Sequence, residues 1–413
     1  MSYLKKSFGN ISWLAAGTLC QQVISIVGAI YIPKMLGVVS FGQYSTINAF
    51  VGMFTILTLS GMTKTIIREG VGSRKRLVYV LERTVGVRNL FSTLAALLCM
   101  LSALFTGYDS IVVKGIFILS LELFLGGLQG SLQSVFQASH KMKYLALLGS
   151  SKSIVVVAGS VGLLFAGFSI LTILLWRIFS GVVFCLFNWL AARKFAPLNY
   201  LSKPVWDKKL LKSGFIFSGL SFLLALSTRL DIVMISFMGT PVEVGLYALA
   251  FTAVQKLNIL RNTVSNGLFP VISEWSKSGK ISLGKILLLT GLLVLLSAVG
   301  ATVVNLFVEP VVLYIWGEKF RGSILIFKVL VYYVALTFAV MPVGLLMQAL
   351  KQESILLITT AVSAVLNVVL NIGFYRLYGL VGIAYSTLVT YTINALLSNI
   401  IGLLQLKRIG ILR

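Results

Sequence analysis

The sequence predicts an all-α polytopic membrane protein, with twelve transmembrane helices in two parallel six-helix repeats around a central cavity. Three observations predict it. Hydrophobic residues make up 58% of the 413 positions and charged residues only 11%, whereas a soluble chain carries about 25% charged residues. Twelve apolar runs reach the length of about 20 residues that crosses a bilayer as a helix. The cations concentrate in alternate loops, which is the asymmetry that orients a chain in a membrane.

The runs fall at 10–32, 44–63, 85–106, 111–136, 145–167, 169–192, 213–238, 244–270, 284–308, 322–350, 354–376 and 379–405. Lys5 and Lys6 precede the first. That run is too long for a signal-peptide core and ends at no small-residue cleavage site, so a retained first helix is expected. Short turns at Ala166-Gly167-Phe168 and Leu377-Tyr378-Gly379 predict tight hairpins between runs 5 and 6 and runs 11 and 12. Loops from odd to even runs hold few cations, Lys34, Lys114, Lys319, Arg321 and Arg376 among them. Loops from even to odd runs hold many, including Arg68, Arg74, Lys75, Arg76, Arg83, Lys208, Lys209 and Lys212. Both termini are therefore expected in the cytoplasm. The net charge of +24 is spread over these loops and forms no single basic arm, so no nucleic-acid partner is expected.

The longest basic loop divides the chain into an N-terminal six-helix lobe (1–196), a basic cytoplasmic linker (197–212) and a C-terminal six-helix lobe (213–413). Two echoes support a repeat. Leu36-Gly37 followed by Gly42-Gln43-Tyr44 resembles Met238-Gly239 followed by Gly245-Leu246-Tyr247, and Gln137-Ala138 resembles Gln348-Ala349. In each first echo a glycine is expected to end a helix in a left-handed conformation. Six helices per repeat is an even number, so the repeats enter from the same side and are parallel. Pro33, Pro241, Pro270 and Pro310 are expected at helix ends or turns, and Pro342 inside run 10 as a kink.

Polar residues inside the runs mark the candidate site. Gln255, Asn258, Arg261, Asn262, Ser265 and Asn266 fall on one stripe of run 8, with Lys256 to one side. Glu122 and Gln129 share a stripe of run 4, and Ser363, Asn367 and Asn371 one of run 11. Such faces meet partner helices or a watery cavity, not lipid. The buried cations Lys152, Arg177, Arg229, Lys256, Arg261 and Lys328 outnumber the buried acids Glu122 and Asp231. Intramembrane charges are functional candidates by default. Surplus cation suits an anionic ligand, because Arg binds phosphate through a bidentate fork and Lys as a point charge. Arg229 and Asp231 are two apart and so point to different sides of one helix. Cys20, Cys99 and Cys185 and the single His140 fit no metal spacing. No phosphate loop or nucleophile–base pair is present, so no metal, no cofactor and no catalytic residue is expected.

The segments LGVVSFGQY, IIREG and RLDIVMISFMG…GLY, in this order among twelve runs, resemble bacterial polysaccharide-exporting flippases of the multidrug/oligosaccharidyl-lipid/polysaccharide superfamily. The resemblance covers essentially the whole chain. It implies translocation of undecaprenyl-diphosphate-linked oligosaccharide repeat units across the cytoplasmic (inner) membrane of a bacterium by alternating access, for O-antigen, capsule or exopolysaccharide assembly. It implies a lipid-linked oligosaccharide substrate, membrane lipids, and a polysaccharide polymerase and other assembly proteins as partners. Arg229, Asp231, Lys256 and Arg261 match places where the family carries cavity charges. Together with the polar stripes, Arg229, Lys256, Arg261, Asn258, Asn262, Lys152, Arg177 and Lys328 are expected to bind substrate, and Asp231 and Glu122 to couple transport to a proton or cation. The rivals are a cation-coupled multidrug exporter of the same superfamily and a non-transporting membrane scaffold of a glycan-synthesis complex. A drug exporter for cations would want an acidic cavity, opposite in sign to the charges seen here.

Overall fold

The computed structural model describes residues 2–196, 203–277, 281–350, 352 and 354–412, without the side chains of 2–8, 11, 220–228, 354, 355 and 357. Residues 197–202 of the expected linker, the side chains of Lys5 and Lys6, and Arg413 lie outside the described residues. The described chain is helical: α1 (Ser2–Met53), α2 (Met62–Gly70), α3 (Arg74–Ala103), α4 (Ser110–Ala138), α5 (Met142–Phe165), α6 (Ile170–Ala192), α7 (Lys208–Met238), α8 (Pro241–Lys277), α9 (Leu283–Trp316), α10 (Ser323–Ala339), α11 (Met341–Ala349), α12 (Ser354–Tyr378) and α13 (Leu380–Arg408). Among the described residues β pairing is limited to one bridge, Ile281 to Leu412, which ties the tail to the loop before α9.

Eight helices are long and apolar enough to cross a membrane, nine when the bent pair α10 and α11 counts as one span. α1 contains the first expected run and the start of the second, divided at Gly37. Its φ of 71° and ψ of 175° belong to a region essentially reserved for glycine. With α1 counted twice, and with α7 and α8 added, the described helices reach the expected twelve. α7 and α8 have 31 and 37 residues, ample for a span.

Two local expectations change and the kink at Pro342 holds. Pro33, Pro270 and Pro310 lie inside α1, α8 and α9, not at their ends. Membrane helices tolerate this because neighbouring helices and local adjustments re-satisfy the freed backbone groups. Gly239 is not left-handed. It is needed for close approach, since a Cβ there would come within 2.6 Å of the Glu243 carboxylate and 2.7 Å of the Tyr375 hydroxyl. Pro342 stands at the start of α11, beyond a break of 41°. Residues 341–347 are all buried, so the break is a packed kink.

The chain divides into two compact units, Met1–Arg229 and Leu230–Arg413. The division falls inside α7, past the 197–212 linker, because the start of α7 is fastened to the first unit. The Gly61 amide donates to Ser218 Oγ at 3.1 Å, Thr65 and Ser213 hydroxyls meet at 3.0 Å, and Arg83 pairs with Asp207 at 3.4 Å.

Within the first unit α4 is the hub, packing on α1, α2, α3 and α6. Within the second unit α10 is the hub, packing on α8, α9 and α13. These are the fourth spans of their units, so the two units share one plan. Each unit has two apolar cores: around Ile66, Leu81 and Phe136 and around Ile47, Ile116 and Leu174 in the first, and around Tyr247, Ile326 and Ile383 and around Met341, Leu346 and Leu406 in the second. Large apolar side chains such as Leu288, Leu295, Leu306 and Phe307 of α9 stay exposed, as a lipid-facing surface requires.

Candidate functional site: a cationic cluster and a buried carboxylate

The first unit gathers three of the expected site residues, Glu122, Lys152 and Arg177, at its hub helix. Glu122 and Gln129 are seven residues apart on α4, so they share one face about 10 Å apart along the axis. Each is occupied by a cation. Arg177 of α6 grips Glu122 with two nitrogens, Nη2 at 2.6 Å and Nε at 3.2 Å. This fork-to-carboxylate geometry fixes orientation as well as charge. Lys152 of α5 donates to Gln129 Oε1 at 2.8 Å, and Gln129 Nε2 donates to the Gly181 carbonyl at 3.1 Å.

Asn48 of α1 joins the upper pair to a third cation. Its Oδ1 accepts from Arg177 Nη1 at 2.7 Å, and its backbone carbonyl accepts from Arg229 Nη1 at 2.9 Å. Gly52, one turn on, leaves the space for this: a Cβ there would overlap the Arg229 guanidinium. Three cations thus surround one acid. Glu122 is satisfied by Arg177, while Arg229 and Lys152 are held by neutral oxygens. The Arg177 and Glu122 side chains keep 28% and 32% of their surface, so the pair is not sealed within the unit.

The second unit holds a buried carboxylate. Asp231 of α7 is only 6% exposed. It accepts from Tyr247 Oη of α8 at 2.6 Å, Asn371 Nδ2 of α12 at 2.8 Å and Thr387 Oγ1 of α13 at 3.0 Å. Asn371 also donates to Asn367 Oδ1 at 3.2 Å. Among the described residues no cation pairs with this carboxylate. An ionised group buried without a charge partner is costly even when hydrogen-bonded. Its oxygens, with the Asn371 and Thr387 side chains, are a hard donor set suited to a proton or an alkali cation.

An aromatic ladder leads away from it. Tyr247 stacks on Phe251 at 5.9 Å, Phe251 on Tyr333 at 6.5 Å, and Tyr333 meets Tyr391 at 4.7 Å. Asn258 donates to Gln255 at 2.7 Å and to Tyr333 Oη at 3.4 Å. Arg261, one turn on, is half-buried, and its Nε has no hydrogen-bond partner among the described residues. Lys256 is half-buried and Asn262 exposed.

The first unit therefore brings Arg177, Glu122, Lys152 and Arg229 together, while Asp231 is held by residues of the second unit. Arg229 and Asp231 do diverge, as their spacing requires. Lys328 joins neither group: it pairs with Glu309 at 3.7 Å, beside Arg321, which pairs with Glu309 at 3.8 Å and Glu318 at 2.7 Å. Asn48, Tyr247 and Thr387 complete the two sites without having been singled out as ligands. A lone Asn, Tyr or Thr in an apolar run carries no such signal; Gln129 and Asn371 stand on polar stripes.

Residues 7–276 match the sequence profile of the family described as polysaccharide biosynthesis protein. The chain belongs to that family. A curated relative from Haloferax volcanii, described as a probable low-salt glycan biosynthesis flippase, Agl15, is 24% identical over 173 residues, which are 41% of this chain and 36% of the relative. That match spans about a third of the relative's length. Among solved structures, a lipid II flippase MurJ in an inward closed conformation is similar with a TM-score of 0.72 at 15% identity, covering 97% of this chain and 88% of that one. An inward-facing multidrug-resistance transporter of the MATE family is similar with a TM-score of 0.69 at 14% identity, covering 97% and 98%. These likenesses show the fold. The polysaccharide biosynthesis family member described here is thus a multi-pass membrane protein with the fold of these solved structures.

Proposed function

We propose that this protein flips undecaprenyl-diphosphate-linked oligosaccharide repeat units across the cytoplasmic membrane of a bacterium by alternating access, for O-antigen, capsule or exopolysaccharide assembly. The observation that carries the reading is the excess of cation around Glu122: Arg177, Lys152 and Arg229 against that one acid. A lipid diphosphate brings the opposite charge, and its oxygens match the donors of Arg and Lys. Arg229 and Lys152, which have no carboxylate partner, hold the diphosphate. Arg177 is the fixed cation that sets the potential. Lys256, Arg261, Asn258 and Asn262 of α8 take phosphate and sugar hydroxyls at a later stage of transport, and Lys328 guides the head group near one end of the path. Both termini are in the cytoplasm, and a polysaccharide polymerase is a partner downstream.

Asp231 couples the cycle to a proton or cation, as its caged, uncompensated carboxylate suggests. Glu122 has the weaker claim to coupling, because Arg177 already neutralises it. The likeness to a MATE transporter supports a second reading, a cation-coupled multidrug exporter, and the Asp231 cage suits it. The sign of the cluster in the first unit favours the flippase, since surplus cation repels a cationic drug.

The test is export in cells. Lys152→Gln with Arg229→Gln abolishes surface polysaccharide and leaves lipid-linked repeat units on the cytoplasmic face, with the protein still in the membrane. Normal surface polysaccharide in that double variant refutes the roles. Wild-type efflux of cationic dyes by the purified protein favours the exporter.

A further inference from the structure

A second basic site lies outside both constellations. The ends of α2, α3 and α7 enclose a cavity of about 280 Å³ lined by Arg68, Glu69, Arg76, Tyr79, Asp207 and Lys209, among others. Ligand pockets for drug-sized molecules begin near about 300 Å³, so this one fits a small head group and not an oligosaccharide.

Its acids are already engaged. Glu69 is shared, Oε1 with Arg68 at 3.0 Å and Oε2 with Arg76 at 3.3 Å. Asp207 pairs with Arg83 at 3.4 Å through Oδ2, while its Oδ1 caps α7 by accepting from the Lys209 and Leu210 amides at 3.1 and 3.2 Å. The Lys209 ammonium has no ion pair among the described residues. Arg68 Nη2 is held by Ser213 Oγ at 3.1 Å, which aims the guanidinium along the wall. Three lining cations thus face two spent carboxylates, and Lys64, Arg74, Lys75, Lys208 and Lys212 crowd the same end of the unit.

The cavity also lies beside the predicted starts of two membrane spans. The apolar runs of α3 and α7 begin near 85 and 213, just beyond it. Tyr79 and Trp206 flank it and remain 50% and 61% exposed. Amphipathic aromatic side chains gather at the head-group level of a bilayer. Basic pockets between transmembrane helices at that level bind acidic lipid head groups.

We propose that this cavity binds the phosphate of an anionic phospholipid in the adjacent leaflet, with Arg76 and Lys209 as its direct ligands and Arg68 as the anchored wall. The inference is independent of the transported substrate, because its readout contains no translocation.

The experiment uses the full chain in nanodiscs of phosphatidylcholine alone or mixed with phosphatidylglycerol. Retained lipid is read by native mass spectrometry and stability by thermal melting. Wild type is expected to retain phosphatidylglycerol and to melt higher when it is present. Arg76→Gln with Lys209→Gln is expected to weaken retention about thirtyfold, at about fivefold per cation removed near an anionic surface. Lys209→Gln alone, which breaks no ion pair, keeps the fold and is expected to lose about fivefold. A control pair, Lys285→Gln with Lys407→Gln, removes the same charge elsewhere and is expected to change nothing. Equal retention by wild type and both cavity variants overturns the proposal, as does an equal loss in the control pair. Inorganic phosphate and glycerol 3-phosphate form the second arm. If they raise the melting temperature of the detergent-purified wild type and not of Lys209→Gln, while no lipid is retained, the site belongs to a soluble phosphate and the lipid assignment falls.

Discussion

Replacing Asp231 separates its structural role from its ionic one. In Asp231→Ala the Tyr247 hydroxyl loses its 2.6 Å acceptor and the Asn371 amide its 2.8 Å acceptor. Thr387 is spared, because its hydroxyl also donates to the Ile383 carbonyl at 2.9 Å. Tyr247 Oη keeps Thr387 Oγ1 at 3.4 Å and Asn371 Nδ2 keeps Asn367 Oδ1 at 3.2 Å, so two charge-assisted hydrogen bonds are lost without orphaning either group, at about 1–3 kcal/mol in all. In Asp231→Asn the side-chain oxygen still accepts from Asn371, and the new amide donates to the Tyr247 or Thr387 hydroxyl, which turns to accept. The loss of charge-assisted hydrogen bonds is then offset by the relief of burying a charge, and the net cost is about 1 kcal/mol or less. Thermal melting of detergent-purified protein should therefore place Asp231→Asn close to wild type and Asp231→Ala several degrees lower. Translocation in proteoliposomes under imposed proton or sodium gradients should lose its gradient dependence in both. Melting of Asp231→Ala at or above wild type refutes the hydrogen-bond reasoning. Wild-type gradient dependence in Asp231→Asn refutes the coupling role.

Glu122→Ala leaves Arg177 with the neutral oxygens of Asn48 and Tyr44. Breaking a fully buried pair costs about 3–5 kcal/mol, and since both side chains keep about a third of their surface the expected loss is about 1–2 kcal/mol, read as a lower melting temperature. Gly52→Ala pushes the Arg229 guanidinium off the Asn48 carbonyl. The displaced atoms end a flexible side chain, so export should fall while melting changes little. At the basic end, the Arg68 hydrogen bond, joined by Arg76, holds the Glu69 carboxyl below the usual carboxylate range. A depressed acid contributes stability that is complete above its unfolded pKa and lost as pH falls through the folded value. The melting difference between wild type and Glu69→Gln should accordingly be flat from about pH 6 to 8 and shrink below about pH 4.

Much of the fold was legible in the residues. Apolar runs located the spans, and the break near Pro342 and the two tight hairpins were visible as kink and turn signals. The prolines at 33, 270 and 310 misled, because a proline ends a helix in water more readily than inside a packed membrane bundle. The repeat was visible in two short echoes, yet its glycines do different work, Gly37 by conformation and Gly239 by proximity. Of the site, the types of residue were readable and their grouping was not. Lys152 and Arg177 were recognised as buried cations, but the sequence contains nothing that pairs Arg177 with Glu122 or sends Lys328 to Glu309.

By itself the sequence determined the class of protein, the positions of its spans and the surplus of positive charge within them. These depend on composition over windows of about 20 residues, set by the thickness of a bilayer. Only the tertiary structure decided that Arg229 belongs with Asn48 and Arg177, and that Asp231 is caged by Tyr247, Asn371 and Thr387, the last two 140 and 156 residues away. It also decided that the division between units falls within α7. Such pairings depend on how each helix is rotated and packed against its neighbours, and no window along a single apolar run carries that rotation.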